Sequence, residues 1–158
     1  MKKVIVASIV SLSLLSGAFA PSALAAKNTP SYTTEKGADK ALAVAMSNIG
    51  KKYQHGGMSP TGFDASGLLA FAYKKGAKLT IPRTIAKQYK TGKVVVDKHM
   101  KKGDMVFFDL EGKKKPTFVG LYAGKGKVIA ATMKGVRTFT IKAGYWKDKV
   151  LTVKRLAK

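Results

Sequence analysis

The sequence predicts an α+β fold, with helices packed on an antiparallel sheet. Three observations carry this. Up to about residue 92, apolar side chains recur at helical spacing between Gly- and Pro-rich breaks. Beyond residue 104 the texture changes to short strand-like runs separated by Gly- and Lys-rich turns. The chain has 158 residues, enough for one domain and too short for two ordinary ones.

Taken in order, the first segment reads as a leader. Met1-Lys2-Lys3 is a short positive region, "VIVASIVSLSLLSGAFA" (4–20) is an apolar run, and "ALA" (23–25) fits a small-x-small cleavage site. We read residues 1–25 as a secretory signal peptide, over an uncleaved membrane anchor, because the apolar run is short for a span. Residues 26–34, "AKNTPSYTT", read as a polar leader, and 35–158 as a single domain. Ala38, Ala41, Leu42, Ala45, Met46 and Ile49 fall on one helical face, with Thr33 or Thr34 as cap and Gly50 as stop. "KKYQHGGMSPTG" (51–62) is a loop. A second helix, apolar almost all round, is expected from about Asp64 to Lys75, with Gly76 as its stop. A short third helix is expected after Pro82, capped by Thr84 and ended by Gly92. Strands follow at 105–110, 117–123, 127–133, 136–141 and 149–155. No internal repeat or low-complexity tract interrupts this order.

Charge narrows the partners. Lys and Arg number 30 against 8 acidic residues, a net charge of +22. Removal of the leader takes away only Lys2 and Lys3. Such a charge favours polyanions and weakens with salt. Export and the lack of a groove-reading motif argue against nucleic acid. The expected partners are therefore anionic wall polymers, teichoic acid and peptidoglycan, with no integral membrane segment after cleavage. Simple solubilisation is the plainer alternative for the lysines, although acidic residues would serve it as well. There is no cysteine, which removes disulfides, thiolate metal sites and a thiol nucleophile together. Two histidines and eight scattered acids do not make a metal site, and no cofactor is expected.

The segments, in this order, resemble the NlpC-type (NlpC/p-sixty) cell-wall peptidases. "KYQHGG", "SPTGFDASGLLAFAY", "IPRTIAKQY", "MKKGDMVFF" and "FVGLYAGKGKVIAA" each resemble a family segment, and together they span roughly 38–154. The resemblance implies a papain-like fold, its N-terminal helices packed on a five- to six-stranded, mostly antiparallel sheet. It also implies the family's chemistry, cleavage of peptidoglycan stem peptides, typically after γ-D-glutamate, by a cysteine, a base histidine and a third polar residue. In this sequence those three positions fall on Ala65, Phe118 and Ala130.

None of the three can transfer a proton, and thiol catalysis needs a thiolate, a base and a group that holds the base. The expectation at this point is an inactive, strongly basic homologue that binds wall polyanions or stem peptides without cutting and modulates wall hydrolases. Two alternatives stay open: a peptidoglycan endopeptidase working by another arrangement, and a cationic antibacterial or membrane-active effector. Tyr53, His55, Asp64, Ser66 and Arg83 are the candidate cleft residues. Each also has a plainer reading. Asp64 is an N-cap, Ser66 makes local backbone bonds, and the other three are packing or surface residues. Ser66 is one step along the helix from Ala65, which turns a side chain by about 100°, away from the old attack direction. His99 and Asp104 are expected in turns outside the cleft.

Overall fold

The protein's structure, a computed structural model, describes residues 35–156; the expected signal peptide and polar leader lie outside the described residues. Helix α1 (Glu35–Met46) buries Ala41, Leu42 and Ala45. The apolar face expected for it is shorter than its pattern: Met46 is exposed at the helix end, and Ile49 lies beyond it, exposed in the turn that follows. A two-stranded ribbon of β1 (Met58–Ser59) and β2 (Gly62–Phe63) leads into α2 (Ala65–Ala72).

Seven of the eight residues of α2 are buried, as its apolar sequence requires. The helix then widens into a π-turn over Tyr73–Ala77 and ends at Lys78 in a left-handed conformation. Gly76 sits inside this turn rather than after it. A Cβ there would come within 2.4 Å of the Lys40 carbonyl of α1, so glycine is what lets α1 and the π-turn approach backbone to backbone.

The third helix, α3, spans Ile85–Tyr89 and stops short of Gly92. Thr84 holds its N-cap position with extended backbone, but its side chain makes no capping hydrogen bond. The expectation of a threonine cap is corrected to that extent.

Six strands, β3 (Lys93–Val95), β4 (Met105–Phe108), β5 (Phe118–Gly124), β6 (Lys127–Thr132), β7 (Gly135–Thr140) and β8 (Val150–Arg155), form one sheet in the order β3-β8-β4-β5-β6-β7. Every pairing is antiparallel. The α+β, papain-like expectation and its strand count are met. The edge strand β3 went unpredicted because three residues, "KVV", with Val94 exposed, carry no alternation to read.

The central strand β4 is buried on both faces. Met105 and Phe107 join the helix-side core with Leu68, Leu69, Val119, Leu121 and Ile129. Val106 and Phe108 join a second cluster with Val128 and Val153, covered by Phe139, Trp146 and neighbours. Each fully buried side chain of this size contributes roughly 1.5–3 kcal/mol relative to exposure. The 3₁₀ turn Gly144–Trp146 brings the chain's one tryptophan onto that second cluster.

A buried ion pair ties β8 to the turn before β4. Asp104, 1% exposed, accepts the Lys101 N–H at 2.7 Å and two hydrogen bonds from Arg155, each 2.7 Å. The Tyr73 hydroxyl donates to the neighbouring Gly103 carbonyl at 2.6 Å. Burial, with the Asp104 charge nearby, pushes that phenol well above its ordinary range, so it stays a neutral donor. His99 sits exposed in the 3₁₀ turn Asp97–His99.

Candidate functional site

The start of α2 is built around Asp64. Its backbone is extended (φ −94°, ψ 173°) and its Oδ1 accepts the Gly67 N–H at 2.7 Å, which satisfies one of the donors a helix start leaves open. The same carboxylate accepts the Gly56 N–H at 3.0 Å, which fixes the loop containing His55 to the helix. A Cβ on Gly67 would lie 2.0 Å from the Gly57 carbonyl. The glycine is what permits that loop to press onto the helix.

Arg83, delivered by the segment before α3, grips Asp64 with both guanidinium nitrogens, Nη1 to Oδ1 at 2.9 Å and Nη2 to Oδ2 at 2.7 Å. Nη1 also donates to Ser66 Oγ at 2.9 Å, and that hydroxyl donates to Asp64 Oδ1 at 3.3 Å. Burial pushes the Asp64 carboxyl up, but the Arg83 hydrogen bond and the Gly67 and Gly56 N–H groups outweigh it and hold the carboxyl below its usual range. Gln88 of α3 secures the arrangement from behind, donating to the Ser66 carbonyl at 3.0 Å and to the Pro82 carbonyl at 2.8 Å.

This network opens onto a groove of about 1120 Å³. Tyr53, His55, Asp64, Ser66 and Arg83 all line it, together with Ala65 and Phe118. Ala130 does not: it is fully buried in β6, opposite Arg137 of β7, while its neighbour Ala131 reaches the groove. Phe118, at the start of β5, packs against both core clusters. The far wall holds Met133, Lys134, Arg137, Phe139, Tyr145 and Trp146. None of these six was singled out from sequence. The signal available was "GYW" (144–146), an aromatic pair in an otherwise lysine-rich turn.

Chemically the groove has two parts. One end offers a fixed Asp–Arg–Ser network and the N-terminus of α2, where helix N–H groups favour an anionic oxygen. The other is aromatic and cationic. Among the described residues no group of three or more His, Cys, Asp or Glu side chains converges on a metal position, and no helix is long and apolar enough to cross a membrane.

Comparison with known proteins bears on both fold and activity. The NlpC/P60 family model matches residues 50–155. Murein DD-endopeptidase MepH of Escherichia coli is 36% identical over 127 residues, covering 77% of this chain and 47% of that protein. Bifunctional muramidase/DL-endopeptidase CwlT of Bacillus subtilis is 37% identical over 115 residues, covering 71% and 34%. A crystal structure of an NlpC/P60 family protein from Bacillus cereus superposes with a TM-score of 0.71 at 28% identity, covering 77% of this chain and 40% of that one. The chain thus spans less than half the length of these relatives. Their names correct the expectation of an inactive homologue: the similar proteins are named as endopeptidases. That expectation ran from three side chains to an absence of activity. Those three positions speak only to a thiol–imidazole pair, while the groove retains hydroxyls, an imidazole and a helix N-terminus beyond them.

Proposed function

The chain belongs to the NlpC/P60 family, and from that premise we propose that its groove takes peptidoglycan stem peptides and acts on them as an endopeptidase. The observation that supports this best is the Asp64–Ser66–Arg83 network held against the α2 N-terminus and open to the groove. A peptide lying there meets the rigidly held Asp64, Ser66 and Arg83 side chains on one side and a helix N-terminus suited to a developing oxyanion on the other. With no cysteine in the chain, the attack would be made by water or a hydroxyl. The Ser66 hydroxyl is engaged by Asp64 and Arg83, which leaves water as the simpler nucleophile. His55, lining the groove beside Gly56, carries an imidazole that can accept its proton.

The test is incubation of the protein with purified sacculi, followed by mass spectrometry of soluble products. The expected result is release of stem-peptide fragments by the unaltered protein and its loss in His55→Gln. Absence of release from the unaltered protein overturns the endopeptidase reading, and release unchanged in His55→Gln overturns the assigned base.

Three further parts belong to the same proposal. Residues 1–25 direct export and are removed, 26–34 are a leader, and the exported domain associates with the wall through teichoic acid as well as peptidoglycan. The support for the last part is the net charge, +22 for the whole chain, of which removal of Lys2 and Lys3 takes away only two. Binding to walls stripped of teichoic acid should be measurably weaker, with the difference vanishing at high salt.

A further inference from the structure

We propose that the aromatic end of the groove is a binding site for an alkyl or acyl chain ending in a phosphate. This goes beyond the stem-peptide reading and rests on different residues. Phe139 and Trp146 stack with ring centroids 4.0 Å apart at 22°, and Phe118 stacks on the other ring pair at 5.2 Å from Trp146 and 29°. Fully buried Phe108 backs them, 5.3 Å from Trp146. Met133, 81% exposed, and Tyr145, 64% exposed with its ring edge on Trp146, line the same groove. These are two of the most exposed large apolar side chains among the described residues. The groove volume, about 1120 Å³, exceeds the ~300–1,000 Å³ of ordinary small-ligand pockets, so a ligand at one end leaves room at the other.

Charge selects the head group. Lys134 and Arg137 line this end, and both are exposed. Among the described residues no salt bridge engages either. The one carboxylate lining the groove, Asp64, is already gripped by Arg83. Two unneutralised cations beside an apolar wall suit an amphiphile whose head carries more than one negative charge, and phosphate does so where carboxylate does not. A sugar fits less well. Its neutral hydroxyls would leave the charges of Lys134 and Arg137 without a counter-charge, and those lying against Phe118, Phe139, Met133 and Leu110 would gain little.

Trp146 is the only tryptophan in the chain, so its fluorescence reports on this end directly. Dodecyl phosphate, kept below micelle-forming concentration, is titrated into the full protein. The expected result is a saturable change in Trp146 emission. Dodecyltrimethylammonium, with the same chain and the opposite charge, should bind at least tenfold more weakly, and laurate should fall between. The double variant Lys134→Glu/Arg137→Glu, at exposed positions that leave the core intact, should lose at least tenfold in dodecyl phosphate affinity with unchanged Tm. Four results would overturn the proposal: no saturable change, equal affinity for all three head groups, an equal response to inorganic phosphate alone, or a response confined to anionic vesicles. The last two would assign the surface to simple anion or membrane attraction.

Discussion

Two Asp–Arg pairs of the same chemistry sit in different places. Arg155 holds Asp104 through two 2.7 Å contacts, with the carboxylate side chain 2% and the arginine side chain 23% exposed. Arg83 holds Asp64 just as directly, but with exposures of 17% and 36%, and with a third partner in Ser66. The first pair joins β8 to the turn before β4 and does not line the groove described above. The second holds a loop, a helix start and α3 around an opening. The comparison teaches that geometry of the pair alone does not mark a functional site. Its position on an open groove does.

The largest effect should come from breaking the buried pair. Arg155→Ala leaves the Asp104 carboxylate buried without its cation, and should cost about 3–5 kcal/mol of stability, read as the change in unfolding free energy from urea melts. Groove ligands should bind the folded fraction as before. A loss of groove binding at full stability would erase the distinction between the pairs.

Arg83→Ala should be milder on stability, about 1–3 kcal/mol, because water reaches Asp64. It should be severe on muropeptide release, which falls to background. Comparing Tm with product yield separates the two effects.

Acid should act on the groove pair in a definite direction. The Asp64 carboxyl has its pKa lowered by folding, so its contribution to stability is whole above the ordinary value of 3.8 and is lost as pH falls below it through the lowered value. Asp64→Asn should remove that part of the acid sensitivity, visible as a flatter stability profile below pH 3.8.

The smallest effect is expected at Thr84. Its side chain makes no capping bond, so Thr84→Ala should shift stability by no more than about 0.5 kcal/mol by thermal melting, against the usual cost of about 1 for a working threonine cap.

The contrast between regions also explains what could be read from the chain. The polar end was legible because each of its residues belongs to a short local signature: "FDASG" for the capped helix start, "IPRT" for the arginine that meets it. Pairing those two segments needed only the order in which they resemble a family. The aromatic end was not legible. Phe118 alone was placed at the site by resemblance; Met133, Arg137, Phe139 and Trp146 come from one strand and two turns, and each one alone reads as a strand or surface residue. Register brings Phe139 opposite Val128 and Arg137 opposite Ala130, and no local pattern announces that. Ala130 shows the converse limit. Alignment by resemblance placed it at the site, and the pleat of β6 gives the groove to Ala131 instead. Helix ends were misread where backbone packing, at Gly76, outweighed the usual reading of glycine as a stop.

The most direct measurement is the binding of a soluble stem peptide, followed by isothermal titration calorimetry, to the full protein and to Arg83→Ala, at low salt and at about 0.5 M salt, where surface charge is screened within a few ångström. The account predicts saturable binding to the unaltered protein that survives the higher salt and is lost in Arg83→Ala. Binding that disappears with salt equally in both proteins would contradict it, and would reduce the attraction to the net charge alone.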